Sequence, residues 1–294
     1  MSVAPLASAA AGSAEYAHAR LRARWGARAD ETAWHRIEIT RELAPVLDLA
    51  RAGPLSRWTE GVAAGDTVHA IECTLRERWC HAVHEVVRWM GGEWQAAVRW
   101  CAWLPLLPAA QQRARGDPPA SWAVADAALA RGPAGERAMP ASGSKGASAV
   151  SGQAPASTAP AAHGAGPQGR ALADADAPAW QALLDAARAD PSQVSALWLR
   201  TWRSRLPRGR ERRTIEQEFV PLLLAHAAHF ASPATVDGWA ARRVLAAQLV
   251  ALMRRHPAEP LEAFAFLALW GLELERLRAE IVARAAFPRR TLHA

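Results

Sequence analysis

The chain has 294 residues, 35 basic and 28 acidic side chains, a net charge of +7 and a mean hydropathy of −0.10. Three cysteines cannot make a disulfide scaffold, so a reducing compartment is the default. No stretch of about 18 apolar residues runs free of charge, and the small, apolar start lacks a basic region, so neither a transmembrane helix nor a signal peptide is predicted.

Ala supplies 71 residues, and every basic residue except Lys145 is Arg. Thr, Tyr, Phe and Ile are scarce, which argues for helices and against sheets. Residues 1–13 read as a flexible tail. A first helical half covers 14–131. Its opening helix runs from Ala14 to Trp25 and stops at Gly26. Asp30 caps a second helix carrying Trp34, Ile37 and Ile39. Pro45 allows a kink or a break before Val46–Ala52, and Gly53-Pro54 is a turn. Asp66 is the expected cap of a long helix to Met90. Its apolar seam, Ile71, Leu75, Trp79, Ala82, Val86 and Trp89, has helical spacing. Another helix starts at Glu93 and passes Trp100 and Trp103 before Pro105 and Pro108, and a short one covers 119–130.

Residues 132–172 are Ala, Gly, Ser and Pro with almost nothing to bury, which predicts a low-complexity linker. A second helical half covers 173–288, followed by a tail at 289–294. Its helices are Trp180–Ala189, a segment capped by Ser192 and ending at Arg205, Arg210–Phe230 with a kink at Pro221, Val236–Arg255 and Glu259–Ala286. The last has a seam at Leu267, Trp270, Leu274, Leu277 and Ile281, the pattern of a helix lying along another helix. The predicted fold is all-α, with helical-bundle repeats in two halves joined by the linker.

His69, Cys73, Cys80 and His84 fall within about 60° of one another on the long helix. Thiolates and imidazoles suit zinc or copper, with Cys101 as a further ligand. Spread along about 22 Å of helix, however, they cannot all touch one ion, and small buried side chains on a packed face are the favoured reading. His226 and His229, with Glu216 and Glu218 upstream, lack a third ligand of diagnostic spacing. No hydrolase, phosphate-loop, dinucleotide or metalloprotease motif occurs, so no catalytic residue, cofactor or metal is assigned.

Arg200, Arg203, Arg205, Arg208, Arg210, Arg212 and Arg213 cluster around the Pro207-Arg208-Gly209 turn, with Trp198 and Trp202 interleaved. Guanidinium groups beside Trp suit an anionic partner surface, or phosphates with stacked bases. Nucleic acid is the less favoured partner, because no recognition helix or aromatic platform accompanies the cluster. A solvated corner between two helices explains the same residues.

Three stretches resemble one family, the subunit called C in bacterial and archaeal A/V-type rotary ATPases and d in eukaryotic V-ATPases. Tyr16-Ala17-His18-Ala19-Arg20-Leu21-Arg22-Ala23-Arg24 is similar to the family's opening helix. Ile71-Glu72 with Leu75-Arg76 resembles its I-E-x-x-L-R helix start. Glu259-Pro260, Ala265-Phe266, Glu273, Leu277-Arg278 and Ile281 resemble its closing helix, with Gly271 and Arg276 as departures where the family has Glu and Asn. The resemblance implies a non-catalytic, all-α adaptor. Such a protein sits peripherally on the cytoplasmic face of the membrane and couples the central-shaft subunits to the rotor-ring proteolipid. It implies partner contacts through Tyr16, Arg20, Arg22, Glu273 and Arg278, and a basic chain suits a neighbouring anionic lipid surface. The alternative for the acid–base set is local helix pairing of Glu273 with Arg276, Glu275 with Arg278 and Glu280 with Arg284. The alternative function is a helical scaffold or regulator that docks an anionic partner through the Arg-rich corner.

Overall fold

A computed structural model describes residues 13–117, 167–231 and 237–287. Every regular element among the described residues is helical. Helix α1 (Ala14–Gly26) is capped by Ser13, whose hydroxyl accepts the Tyr16 N–H. Helix α2 (Glu31–Ile39) is capped by Asp30, as its sequence predicts. Helices α3 (Leu43–Arg51) and α4 (Ser56–Thr59) follow. Pro45 lies in the first turn of α3, where a missing N–H breaks no helical bond. The cap of the long α5 (Val68–Trp89) is Thr67, not Asp66. Asp66 turns back instead, and its carboxylate accepts the Ala63 N–H to close the preceding turn. Helix α6 (Gly92–Trp100) passes through a 3-10 segment, Cys101–Leu106, into α7 (Leu107–Ala114).

Helix α8 (Pro167–Ala187) begins earlier than predicted, so residues 167–172 of the expected linker are helical. Ala-rich sequence propagates a helix readily once Trp180, Leu183, Leu184 and Ala187 anchor one end. Residues 132–166 of that linker, the predicted helix over 119–130, residues 1–12 of the first tail and the tail at 289–294 lie outside the described residues. A 3-10 turn, Pro191–Gln193, leads into α9 (Val194–Ser204). Its entry is capped by Asp190 rather than Ser192. The aspartate accepts the Ser192 N–H at 2.9 Å and its hydroxyl at 2.6 Å.

The segment predicted as one kinked helix is three elements: α10 (Arg210–Thr214), a π-helical turn over Ile215–Phe219, and α11 (Val220–Ala231). Pro221 has no N–H to continue the α ladder, and the wider turn places the Val220 N–H on the Ile215 carbonyl. Helices α12 (Gly238–Arg255) and α13 (Pro260–Ala286) are the last of the described elements.

Helix α13 runs through the middle of the molecule, packing on α1, α3, α5, α12 and the π turn. Leu261 to Leu267 are all buried. An apolar sequence with no polar face must be covered on all sides, and the interior seam therefore starts six residues before Leu267. Trp270 sits between Phe266 (ring centroids 4.2 Å apart) and Trp58 (5.9 Å, edge to face). Phe264 meets Trp202 at 5.1 Å and Trp94 at 6.3 Å. Trp103 stacks on Trp180 at 4.7 Å. Residues from both sides of 118–166 thus share one apolar core.

Because Trp270 is fully buried among aromatic rings, Trp270→Ala is expected to cost about 3–5 kcal/mol. Ile39→Ser, at a position 62% exposed, should change stability by less than about 0.5 kcal/mol. Urea unfolding followed by tryptophan fluorescence and circular dichroism checks both.

Candidate functional site

The stretches around Tyr16–Arg24, Ile71–Arg76 and Glu259–Ile281 come together on α1, α5 and α13, which pack on one another. At one end stands Glu262, a carboxylate with no solvent exposure. His18 Nδ1 lies 2.6 Å from its Oε2, and Arg22 Nε lies 2.7 Å from its Oε1. The Ala258 N–H donates to Oε2 at 3.0 Å. Ala258 has φ of 61°, a left-handed conformation unfavourable for a residue with a Cβ. Arg22 also donates to the Met253 carbonyl at 2.6 Å. One buried acid therefore joins α1, the α12–α13 turn and the start of α13.

Glu273 lies about three turns further along α13 and is also buried. Burial raises its carboxyl above the ordinary range, against the opposing charges of Arg28 and Arg57. Those two guanidinium groups are themselves pushed down by burial. Arg28 stacks on Trp25 at 3.9 Å and Arg57 on Trp270 at 4.5 Å. The pairing of Glu273 with Arg276 expected from i,i+3 spacing does not form. Arg276 reaches across to α2 instead, at 3.1 Å from Glu31 and 2.7 Å from Glu38, with its guanidinium over the Trp34 ring. These contacts lower the Glu31 carboxyl and raise the Arg276 guanidinium. Two acids from another helix offer more than one neighbour whose carboxylate is turned inward.

Arg278 joins two of the family-like stretches directly, at 2.6 Å from Glu72 of the I-E pair, and it also meets Glu275 at 3.4 Å. Arg284 pairs with Glu280 at 2.6 Å and donates to the carbonyls of Ile37 and Thr40, closing the end of α2. Tyr16 is half-buried against the core, and Arg20 is exposed with its guanidinium 5.5 Å from the Trp89 ring. Gly271 faces Trp79, whose ring would lie 3.7 Å from an added Cβ.

The Arg-rich corner divides into two sets. Arg205 is turned inward, 2.6 Å from the buried Asp176 and 4.4 Å over Trp100. Arg212 pairs with Glu216 at 3.0 Å, and Arg203 is half-buried. Arg200, Arg208, Arg210 and Arg213 are exposed, without an ion-pair partner among the described residues. Gly209, at φ of 155°, makes the turn between them. The interleaved Trp198 and Trp202 are buried and stacked on each other at 6.4 Å. They are not available for stacking on bases, because their i,i+4 spacing puts both on the core face of α9.

The cysteines and histidines are not gathered. Among the described residues no group of three or more His, Cys, Asp or Glu is arranged to hold a metal ion. Cys101 is buried, its thiol pushed up to about 12 by desolvation and donating toward the Ala97 carbonyl at 3.6 Å. Cys80 faces the Ala102 carbonyl at 3.9 Å, and Arg76 donates to Cys73 Sγ at 3.1 Å. His226 packs against the Phe230 ring at 4.8 Å, while Glu218 pairs with Arg255 and His256.

Sequence reasoning missed two buried acids, Glu262 and Asp176. Asp176 bridges Arg99 at 3.1 Å and Arg205 at 2.6 Å, joining α8 to α6 and to the end of α9. A lone acid inside an apolar run was the available signal for Glu262, and an acid one turn before Trp180 the signal for Asp176. No family model, no curated protein and no solved structure matches the chain.

Removing Arg22 from the cluster strands the buried Glu262 carboxylate. Arg22→Met is therefore expected to cost about 3–5 kcal/mol in chemical unfolding. For Glu273 the folded carboxyl lies above its ordinary value of 4.5. The native state then holds a proton that the unfolded chain releases first, so stability from this site is fully present below the unfolded value and is lost as pH rises through the folded one. Wild type should lose stability relative to Glu273→Gln as pH increases through that interval, measured as the difference between two urea-midpoint profiles.

Proposed function

We propose that this protein is a non-catalytic adaptor of a rotary ATPase, seated between the central shaft and the membrane rotor ring. The observation that carries the reading is the convergence of the three family-like stretches. Residues far apart in the chain meet through Arg22 with Glu262 and through Arg278 with Glu72. A torque-bearing adaptor needs stiffness more than chemistry. Helix α13 has 27 residues, so it spans about 40 Å, and a shared aromatic core surrounds it. No helix among the described residues is long and apolar enough to cross a membrane. That accords with a peripheral place on a membrane complex.

The second reading is a helical scaffold that docks an anionic partner. It is favoured by the four exposed guanidinium groups at Arg200, Arg208, Arg210 and Arg213. The two readings separate in one experiment. Tagged protein recovered from gently solubilised host membranes should carry ring and shaft subunits in near-stoichiometric amounts, identified by mass spectrometry. Arg208→Glu combined with Arg210→Glu should leave that recovery unchanged. Loss of a different, anionic partner in that double variant, with ring and shaft absent throughout, would replace the adaptor by the scaffold.

A further inference from the structure

A cleft of about 670 Å³ opens to solvent between α1, α3, α4 and the middle of α5. Four guanidinium groups line it, Arg24, Arg51, Arg57 and Arg78, against one carboxylate, Glu60. The four come from separate elements, so no helical repeat explains their meeting. Three are held in place by the fold. Arg24 pairs with Glu85 of α5, and Arg51 donates to the Val62 carbonyl. Arg78 donates through Nε to the Arg57 carbonyl at 2.7 Å and also pairs with Glu60.

Arg57 differs from the other three. Its guanidinium carbon lies over the Trp270 ring, 4.5 Å from the centroid, and has no hydrogen-bond or ion-pair partner among the described residues. Burial and the neighbouring positive charge of Arg24 both disfavour its protonated form, with Glu273 and Glu85 offsetting them only in part. A half-desolvated cation beside three others is electrostatically incomplete. Glu60 is the sole carboxylate in the lining; it pairs with Arg78, and its side chain is 69% exposed on the short segment after α4. A carboxylate so loosely held is readily displaced by a stronger anion.

We propose that this cleft is an anion site for a phosphate-bearing ligand, with Arg57 and Arg78 as the principal donors, Arg24 and Arg51 at its rim, and Glu60 occupying the anion's place when the site is empty. Phosphate suits the arrangement because guanidinium forks match its oxygens two at a time, and several forks share a multiply charged group. Contact with the Trp270 ring restricts the Arg57 side chain, which cuts the ordering cost of binding. The site is independent of the rotor reading and distinct from the exposed corner at Arg200–Arg213.

Tripolyphosphate titrated into the full chain by calorimetry tests it. Wild type should bind saturably. Glu60→Gln should tighten binding several-fold by removing the internal competitor. Arg57→Gln and Arg51→Gln should each weaken it, the former by about tenfold or more. Arg57 touches the core, so Arg51→Gln and Glu60→Gln, both at exposed side chains, decide the matter if Arg57→Gln fails to fold. The Arg208→Gln, Arg210→Gln double variant should bind as wild type does. Vesicles of phosphatidylcholine with and without phosphatidylinositol 4-phosphate identify the source of the phosphate. Recruitment that Glu60→Gln enhances assigns a lipid headgroup, and tripolyphosphate binding without recruitment assigns a free phosphate ester. No saturable tripolyphosphate binding, binding indifferent to Glu60 and Arg51, or binding that disappears with Arg208 and Arg210 would overturn the proposal.

Discussion

Glu262 has no contact with water, yet it sits at the third position of the helix around which the core is packed. A carboxylate in that position is tolerable only with its partners in place. Its partners are His18 and Arg22 from α1 and the Ala258 amide from the α12–α13 turn. The turn accepts a left-handed Ala258 to supply that amide. Removing α1 would leave the acid stranded, and shifting α13 by one residue would aim it elsewhere. The cluster therefore fixes both the presence of the first helix and the register of the last.

From that fixed end, α13 carries a sequence of further ties outward. Phe264 and Trp270 draw in aromatic rings from α4, α6 and α9. Arg276, Arg278 and Arg284 then pin α2 and α5 from the surface. Contacts of the first kind supply most of the stabilisation, since each aromatic side chain removes a large apolar area from water. Those of the second kind are individually modest where exposed, but they are directional and select one arrangement of helices. A stiff central rod with splinted neighbours is what a coupling adaptor would use, and it is also what gives the Arg57 cleft a rigid wall.

Much of this architecture was legible in the residues. The 3-and-4 spacing of Ile71, Leu75, Trp79 and Val86, and of Trp270, Leu274, Leu277 and Ile281, identifies two long helices and their inward faces, because burial follows helical period. Caps were legible at Asp30 and ambiguous at Asp66-Thr67 and Asp190–Ser192. There two competent oxygens stand within two residues, and tertiary fit chooses between them. What could not be read was pairing at long range. Arg276 has an acid three residues away at Glu273 but bonds to acids about 240 positions earlier. The cleft was invisible for the same reason, since Arg24, Arg51, Arg57 and Arg78 form no pattern until α1, α3, α4 and α5 are packed.

The central claim is that the first and last helices form one cooperative unit through buried charge, although 233 residues separate Gly26 from the start of α13 at Pro260. Amide hydrogen exchange followed by mass spectrometry tests it most directly. If the account is right, peptides covering 14–26 and 261–281 are protected to the same free energy, that of global unfolding, and lose protection together as denaturant is added. Exchange of 14–26 in a separate, lower-energy opening, with 261–281 still protected, would contradict it.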